Sequence, residues 1–84
     1  MSTEEIKNRV GEKAATLVES GMLVGLGTGT TVTYFIKHLI ARCCQGLKIH
    51  AVASSTHSMN QAKAGGIPLL DPAQVTTLDL TVDG

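Results

Sequence analysis

The 84-residue sequence is poor in aromatic side chains, has no net charge and contains no long apolar run. Tyr34 and Phe35 are its only aromatic residues, so it offers no row of rings on which nucleic-acid bases could stack. Seven basic and seven acidic residues balance without forming a basic stripe, which argues against nucleic acid as the main partner. The longest uncharged stretch, residues 20–36, is interrupted by glycines, so the sequence predicts no membrane span.

Cysteine and histidine are too few and too unfavourably spaced for a metal centre. Cys43 and Cys44 are neighbours whose side chains point about 100° apart in a helix, so they cannot form a zinc site or an ordinary disulfide. His38, His50 and His57 share no ligand spacing with each other or with the cysteines, and we expect no metal. The N-terminus has no apolar segment typical of a secretory signal, so we expect a cytoplasmic location.

What the sequence does contain is a short apolar run that ends in alternating glycines and threonines. Residues 22–26 are typical of a buried strand, and residues 27–31 read Gly-Thr-Gly-Thr-Thr before a helical period begins. Glycine lets a ligand approach the main chain, and the N–H groups that open a helix attract anions. We therefore predict a phosphate-binding turn. Its candidate residues are Thr28, Gly29, Thr30 and Thr31.

This turn differs from two well-known nucleotide-binding motifs. No lysine lies between Lys13 and Lys37, which excludes a P-loop. In a dinucleotide fingerprint starting at Gly25, Thr30 occupies the place of the third glycine, and the next strand ends without an acidic residue for a ribose. A strand-to-helix turn that favours glycine and threonine but binds nothing remains an alternative interpretation.

Helical periodicity predicts three helices, over residues 2–19, about 31–45 and 56–64. Ser2 and Glu5 have capping-box spacing, and a serine or threonine in residues 54–56 caps the third helix. The first helix is expected to face the sheet through Ile6, Val10, Ala14, Leu17 and Val18. The second has an apolar stripe of Val32, Phe35, Ile36, Leu39, Ile40 and Cys43. The third is expected to direct inward Met59 and either Ala62 or the stem of Lys63.

Strands are predicted between these helices, at residues 22–26, 47–53 and 78–82. Residues 67–70 form a short extended run, which Pro68 restricts to an edge strand. Asp71 and Pro72 open one helical turn through Val75. Strands that alternate with helices predict an α/β fold, a Rossmann-like parallel sheet flanked by helices with right-handed crossovers.

Three of the predicted strands end in polar or glycine-rich residues. These are residues 27–31, residues 54–56, and the pair Asp83 and Gly84. Ligands of parallel sheets bind at the carboxyl ends of the strands, so we expect these segments to converge on one site. A parallel strand normally runs on into a covering helix, which leads us to expect that residues 1–84 are the N-terminal portion of a larger domain.

The sequence contains Val-Gly-Leu-Gly-Thr-Gly-Thr-Thr at 24–31, Ala-Ser-Ser-Thr at 53–56 and Leu-Thr-Val-Asp-Gly at 80–84. These three motifs resemble the N-terminal part of the A-type ribose-5-phosphate isomerases. The resemblance covers essentially the whole chain, including Gly-Gly-Ile-Pro at 65–68. It implies an aldose–ketose isomerase of the pentose phosphate pathway, which interconverts ribose 5-phosphate and ribulose 5-phosphate without a cofactor. It also implies that the full-length protein is a homo-oligomer, a dimer. It also implies that Thr28 to Thr31 bind the sugar phosphate and that Asp83 and Gly84 line the reacting end.

The same resemblance places the catalytic base beyond Gly84. Isomerisation through an enediolate needs a carboxylate base and a group that stabilises the oxyanion, which the family supplies from a downstream glutamate and a Lys-Gly-Gly-Gly turn. We interpret the glutamates of the first helix as a solvated face, and expect no turnover by this chain as given. They are Glu4, Glu5, Glu12 and Glu19.

Two other functions remain open from the sequence. A sugar-phosphate sensor domain, of the kind fused to bacterial repressors, shares a similar fold and glycine turn, but would be preceded by a DNA-binding helix-turn-helix. A purely structural segment would carry the same turn and bind no ligand. Binding of ribose 5-phosphate is expected for the isomerase and for the sensor domain, but not for the purely structural segment.

Overall fold

The computed structural model describes residues 2–83. Three helices, α1 (Thr3–Thr16), α2 (Thr30–Cys44) and α3 (Thr56–Ala64), alternate with three strands, β1 (Leu23–Leu26), β2 (His50–Ala53) and β3 (Leu80–Val82). A single 3-10 turn, Pro72–Gln74, lies between α3 and β3. No helix among these residues has the length and apolarity to cross a membrane.

The three strands form one parallel sheet in the order β2-β1-β3, which confirms the predicted α/β architecture. Leu26, the last residue of β1, pairs with Ala53 on one side and with Val82 on the other. All three strands therefore end at the same level. The chain moves outward from β1 to β2 and then crosses to the other side of β1, so the three strand ends surround the turn that follows β1.

Helix α2 supplies the centre of the core, as its apolar period predicts. Phe35, Ile36 and Leu39 are fully buried together with Val24 and Leu26 of the central strand. The last two members of the predicted stripe, at positions 40 and 43, are partly buried against this cluster. Each large side chain that is removed from water contributes roughly 1.5–3 kcal/mol, so this helix holds the sheet in place.

The predicted inner face of α1 is wrong for its large residues Ile6, Val10 and Leu17, whereas Val18 is fully buried and Ala14 packs against the core as predicted. Ile6, Val10 and Leu17 are 50%, 52% and 57% exposed, and the helix packs on α2 through Gly11 and Ala15. A Cβ added at Gly11 would lie 2.7 Å from the backbone nitrogen of Phe35. Small residues let two helix backbones approach closely. A search for large apolar residues at helical spacing therefore does not identify the face formed by Gly11 and Ala15.

Helix α1 also ends at residue 16 instead of 19. The guanidinium of Arg42 on α2 donates hydrogen bonds to the carbonyls of Ala15 and Val18, which satisfies carbonyls at the end of α1. At the other end, the Ser2 hydroxyl accepts from the Glu5 N–H at 3.2 Å, as the capping-box spacing predicts.

Helix α3 has the predicted bounds but not all of the predicted inner contacts. Ala62 is buried, whereas Met59 is 42% exposed, so the expectation for Met59 is wrong. Ser58 is buried in its place. The reason is the hydrogen-bonding position of Ser58, which lies against the turn after β1 and is described below.

The extended run after α3 lies along the outer edge of β2, as Pro68 predicts. Ala51 donates to the Pro68 carbonyl and accepts from the Leu70 N–H, each at 2.9 Å, in a single parallel bridge. Strands β2 and β3 begin later than predicted, at His50 and Leu80, because they pair only along the short β1.

Candidate functional site

The turn between β1 and α2 presents unpaired backbone N–H groups. No described residue accepts a hydrogen bond from the N–H groups of residues 28–32. The first helical hydrogen bond of α2 runs from the Thr33 N–H to the Gly29 carbonyl at 3.2 Å. Gly29, the N-cap, has φ 112° and ψ 170° and supplies no side-chain cap. These N–H groups, together with the positive end of the α2 dipole, can bind an anion.

The other two α-helices begin differently. Ser2 caps α1, and the Ser55 hydroxyl caps α3 by accepting from the Ser58 N–H at 3.2 Å. Their first turns therefore use a side-chain oxygen of this chain where α2 leaves its N–H groups free. Of the three α-helices, α2 has the start that suits an anionic ligand.

Hydrogen bonds from both neighbouring strand ends hold the beginning of the turn. The Leu26 carbonyl accepts from the Ser54 N–H at 2.9 Å and from the Ser54 hydroxyl at 3.1 Å. On the other side, the Gly27 N–H donates to the Val82 carbonyl at 2.8 Å. The Gly27 carbonyl accepts from the Ser58 hydroxyl at 2.7 Å. The turn is thus fixed to the ends of β2 and β3 and to α3.

Asp83 lies directly against this turn. A Cβ added at Gly27 would be 2.6 Å from the Asp83 carboxylate oxygen Oδ1 and 2.9 Å from the Val82 carbonyl oxygen. Only glycine leaves room at position 27 for this approach. The side chain of Asp83 is exposed, so its carboxylate remains available to a ligand.

Each of the three predicted strand-end segments contributes at least one described residue to a single cleft, although residues 29–31, Ser55 and Thr56 do not line it. A cleft of about 640 Å³ is lined by Gly27, Thr28, Ser54, Thr81 and Asp83, with apolar walls from neighbouring residues. This volume is in the range of small-molecule sites. Of the predicted site residues, Thr28 and Asp83 line the cleft, and Gly29, Thr30 and Thr31 continue from Thr28 into the first turn of α2. Gly84 lies outside the described residues.

The four glutamates of the predicted first helix do not line this cleft. All four are exposed, which agrees with the expected solvated face. Glu4 accepts a 2.5 Å hydrogen bond from the Tyr34 hydroxyl, and this bond raises the pKa of Tyr34. Glu12 lies 3.9 Å from Nδ1 of His38, whose Nε2 is 2.7 Å from the Asn8 side chain. These contacts join α1 to α2.

No cluster of three or more metal-binding side chains occurs within residues 2–83. Cys43 packs on the core, and burial raises the pKa of its thiol, with a smaller contribution from Cys44. Cys44 is exposed. Both positions agree with the interpretation of Cys43 as part of the apolar stripe of α2.

Sequence reasoning missed Ser58 and Thr81 as parts of the site. Thr81 alternates with the inward-facing residues of β3, so its position on the cleft follows once the strand is known. Ser58 had no such signal, since a serine near the start of a helix is ordinarily a solvent-exposed residue.

Known proteins resemble this chain over nearly all of its length, although no protein-family model matches it. A ribose-5-phosphate isomerase A from Protochlamydia amoebophila is 53% identical over 72 residues, which are 86% of this chain and 31% of the relative. A ribose-5-phosphate isomerase A 1 from Oceanobacillus iheyensis is 49% identical over 82 residues, which are 96% of this chain and 37% of the relative. The chain spans about a third of the length of the curated relatives it matches.

Solved structures agree with these relatives. A D-ribose-5-phosphate isomerase in complex with phospho-erythronic acid superposes with a TM-score of 0.92 at 35% identity, over 99% of this chain and 37% of that one. The ribose 5-phosphate isomerase from Plasmodium falciparum gives a TM-score of 0.90 at 32% identity, over 96% of this chain and 36% of that one. In sequence and in fold, the chain is therefore similar to these ribose-5-phosphate isomerases over about one third of their length.

Proposed function

We propose that residues 1–84 are the N-terminal part of a Rossmann-like sugar-phosphate isomerase domain, which interconverts D-ribose 5-phosphate and D-ribulose 5-phosphate through an enediolate. The observation that carries this proposal is the set of unpaired N–H groups at residues 28–32 beside the carboxylate of Asp83. The homology to proteins named ribose-5-phosphate isomerase A supports the choice of substrate.

The charges of the cleft give the substrate a direction. The phosphate group binds at the start of α2, where N–H groups and the helix dipole favour a negative charge. The contributing residues are Thr28, Gly29, Thr30 and Thr31. Asp83, which lies against Gly27 where the turn begins, would repel the phosphate, so its carboxylate accepts hydrogen bonds from the sugar hydroxyls. Gly84, which follows Asp83 in the sequence, is a further proposed substrate-binding residue.

The proposed reaction moves a proton between adjacent carbons of the sugar and uses no cofactor. It needs a general base and a group that stabilises the developing oxyanion. Among the described residues that line the cleft, Asp83 is the only carboxylate, and none is basic. We place the base and the oxyanion partner in sequence outside residues 1–84, so this chain supplies substrate binding and the complete protein supplies turnover.

Location and assembly are further parts of the proposal. An enzyme of the pentose phosphate pathway acts on soluble sugar phosphates, so we propose a cytoplasmic protein. We also propose that the full-length protein is a homo-oligomer, specifically a dimer. Cell fractionation and sedimentation of the full-length protein test these two points.

Turnover of ribose 5-phosphate by the full-length protein that contains this sequence tests the proposed activity. We expect isomerase activity, and we expect Asp83→Asn to lower it at least about tenfold, equivalent to about 1.4 kcal/mol of transition-state stabilisation. Because Asp83 is exposed, the free energy of unfolding should change by less than about 0.5 kcal/mol.

Asp79→Asn is the matched control, since Asp79 precedes the same strand and does not line the cleft. Its carboxylate accepts from the Leu23 N–H at 2.7 Å, and the neutral amide oxygen of asparagine is a weaker acceptor, so the variant should lose some stability and keep its turnover. Absence of isomerase activity in the wild-type protein, or full activity of Asp83→Asn, would contradict the proposal.

A further inference from the structure

Ser58 is the only polar residue among residues 2–83 that is buried, with 2% of its surface exposed. It lies in the first turn of α3, and its hydroxyl donates to the Gly27 carbonyl at 2.7 Å. That carbonyl belongs to the turn between β1 and α2. A buried hydroxyl at this place therefore connects α3 to the proposed phosphate-binding residues.

The carbonyl of Gly27 and the N–H of Thr28 belong to one planar peptide unit. In a trans peptide these two groups point in opposite directions, and the structure contains no cis peptide bond among its described residues. A hydrogen bond that fixes the Gly27 carbonyl toward α3 therefore directs the Thr28 N–H away from α3. Thr28 lines the cleft, and its N–H is the first of the unpaired N–H groups.

The peptide unit before this one is held independently of Ser58. Its carbonyl, at Leu26, accepts twice from Ser54, and its N–H, at Gly27, donates to Val82. The unit from Gly27 to Thr28 has only the Ser58 hydroxyl as a described partner. Glycine at position 27 leaves the backbone free to rotate, so without Ser58 this peptide unit could turn over.

We propose that Ser58 is a positioning residue that orients the Thr28 N–H toward the phosphate of the substrate. This inference rests on the proposed function for its ligand, but the orientation of the N–H can be measured without any ligand. Ser58 is buried and does not line the cleft. Its effect is transmitted through one planar peptide unit.

The test uses the ¹⁵N-labelled chain, with residual dipolar couplings for the direction of the Thr28 N–H and amide-shift titration for the affinity for ribose 5-phosphate. Ser58→Ala should change the Thr28 coupling and weaken binding about tenfold, the ratio expected from one lost hydrogen bond. Ser58→Cys, which keeps a weak S–H donor of similar size, should give an intermediate affinity. This second variant keeps the test decisive if Ser58→Ala does not fold.

Ser55→Ala is the matched control. It removes the cap of α3 and leaves the Ser58 hydroxyl in place, so it should lower the melting temperature and keep both the Thr28 coupling and the affinity within twofold of the wild type, as expected for a lost cap. If Ser55→Ala and Ser58→Ala weaken binding equally, loosening of α3 explains the loss and the inference is overturned.

The two proposals can fail separately. An unchanged Thr28 coupling in Ser58→Ala overturns the positioning role, whether or not the wild-type chain binds ribose 5-phosphate. A wild-type chain that binds no ribose 5-phosphate, together with a changed Thr28 coupling in Ser58→Ala, contradicts the proposed function and supports the orientation of the peptide unit by Ser58.

Discussion

Gly29→Ala should weaken both the fold and the anion site. Gly29 has φ 112° and ψ 170°, a conformation that is essentially confined to glycine, and an L-residue forced into it costs roughly 1–3 kcal/mol. The smaller conformational entropy of the unfolded alanine variant offsets roughly 0.4–1 kcal/mol of this cost. The net loss of about 1–2 kcal/mol corresponds to a fall in melting temperature of roughly 5–15 °C for a domain of this size.

If the turn relieves this strain by changing its backbone angles, the N–H groups around residue 29 point elsewhere. Affinity for ribose 5-phosphate should then fall together with stability. Thermal unfolding followed by circular dichroism measures the first effect, and isothermal titration calorimetry measures the second. Because both measurements use the same variant, they show whether the conformation of this turn determines both the stability of the fold and the affinity for ribose 5-phosphate.

Gly46→Ala provides the matched control for this variant. Gly46 has φ 110°, follows the other end of α2, and a Cβ at this position would meet nothing within 4 Å. It lies a helix length from the cleft, about 22 Å at 1.5 Å per residue. The control should lose similar stability and keep its affinity. The reasoning is refuted if Gly29→Ala binds as the wild type does, or if Gly46→Ala weakens binding as much.

Three further predictions concern the packing of α1 and α2. Gly11→Ala should lower the urea midpoint of unfolding, because its new Cβ would lie 2.7 Å from the backbone nitrogen of Phe35. Overpacking costs about 1–3 kcal/mol, which exceeds the roughly 1 kcal/mol gained in helix propensity. A midpoint at or above that of the wild type would contradict this. Phe35→Ala should cost about 3–5 kcal/mol in the same assay, and the exposed Ile6→Ala less than about 0.5 kcal/mol, so equal losses would refute the assignment of the core. Limiting iodoacetamide should modify Cys44 before Cys43, because burial raises the pKa of the Cys43 thiol; mass spectrometry that finds equal rates would contradict the packing of this residue.

Comparison of α1 with α2 shows what hydrophobic periodicity can predict. In α2 the large apolar residues form the buried face, and Phe35 and Leu39 lie in the core as expected. In α1 the large residues are exposed and the contact is made by Gly11 and Ala15. Close approach of two helix backbones depends on small residues on one helix and on the shape of the facing surface of the other. The sequence of α1 alone contains no information about that facing surface.

The candidate site was predictable to a similar extent. Parallel strands end at one edge of a sheet, so the proximity of the glycine turn and Asp83 followed from the order of strands and helices. The role of Ser58 did not follow, because its burial depends on how α3 is oriented over the turn after β1. Strand lengths were also overestimated, since pairing along the four residues of β1 determines where β2 and β3 begin.

A ¹H–¹⁵N titration of the chain with ribose 5-phosphate, repeated with unphosphorylated ribose, tests the central claim most directly. The account predicts that the amide signals of residues 28–32 move with ribose 5-phosphate and stay in place with ribose at the same concentration. Equal shifts with both sugars, or shifts with ribose 5-phosphate that leave these amides unchanged, would contradict it.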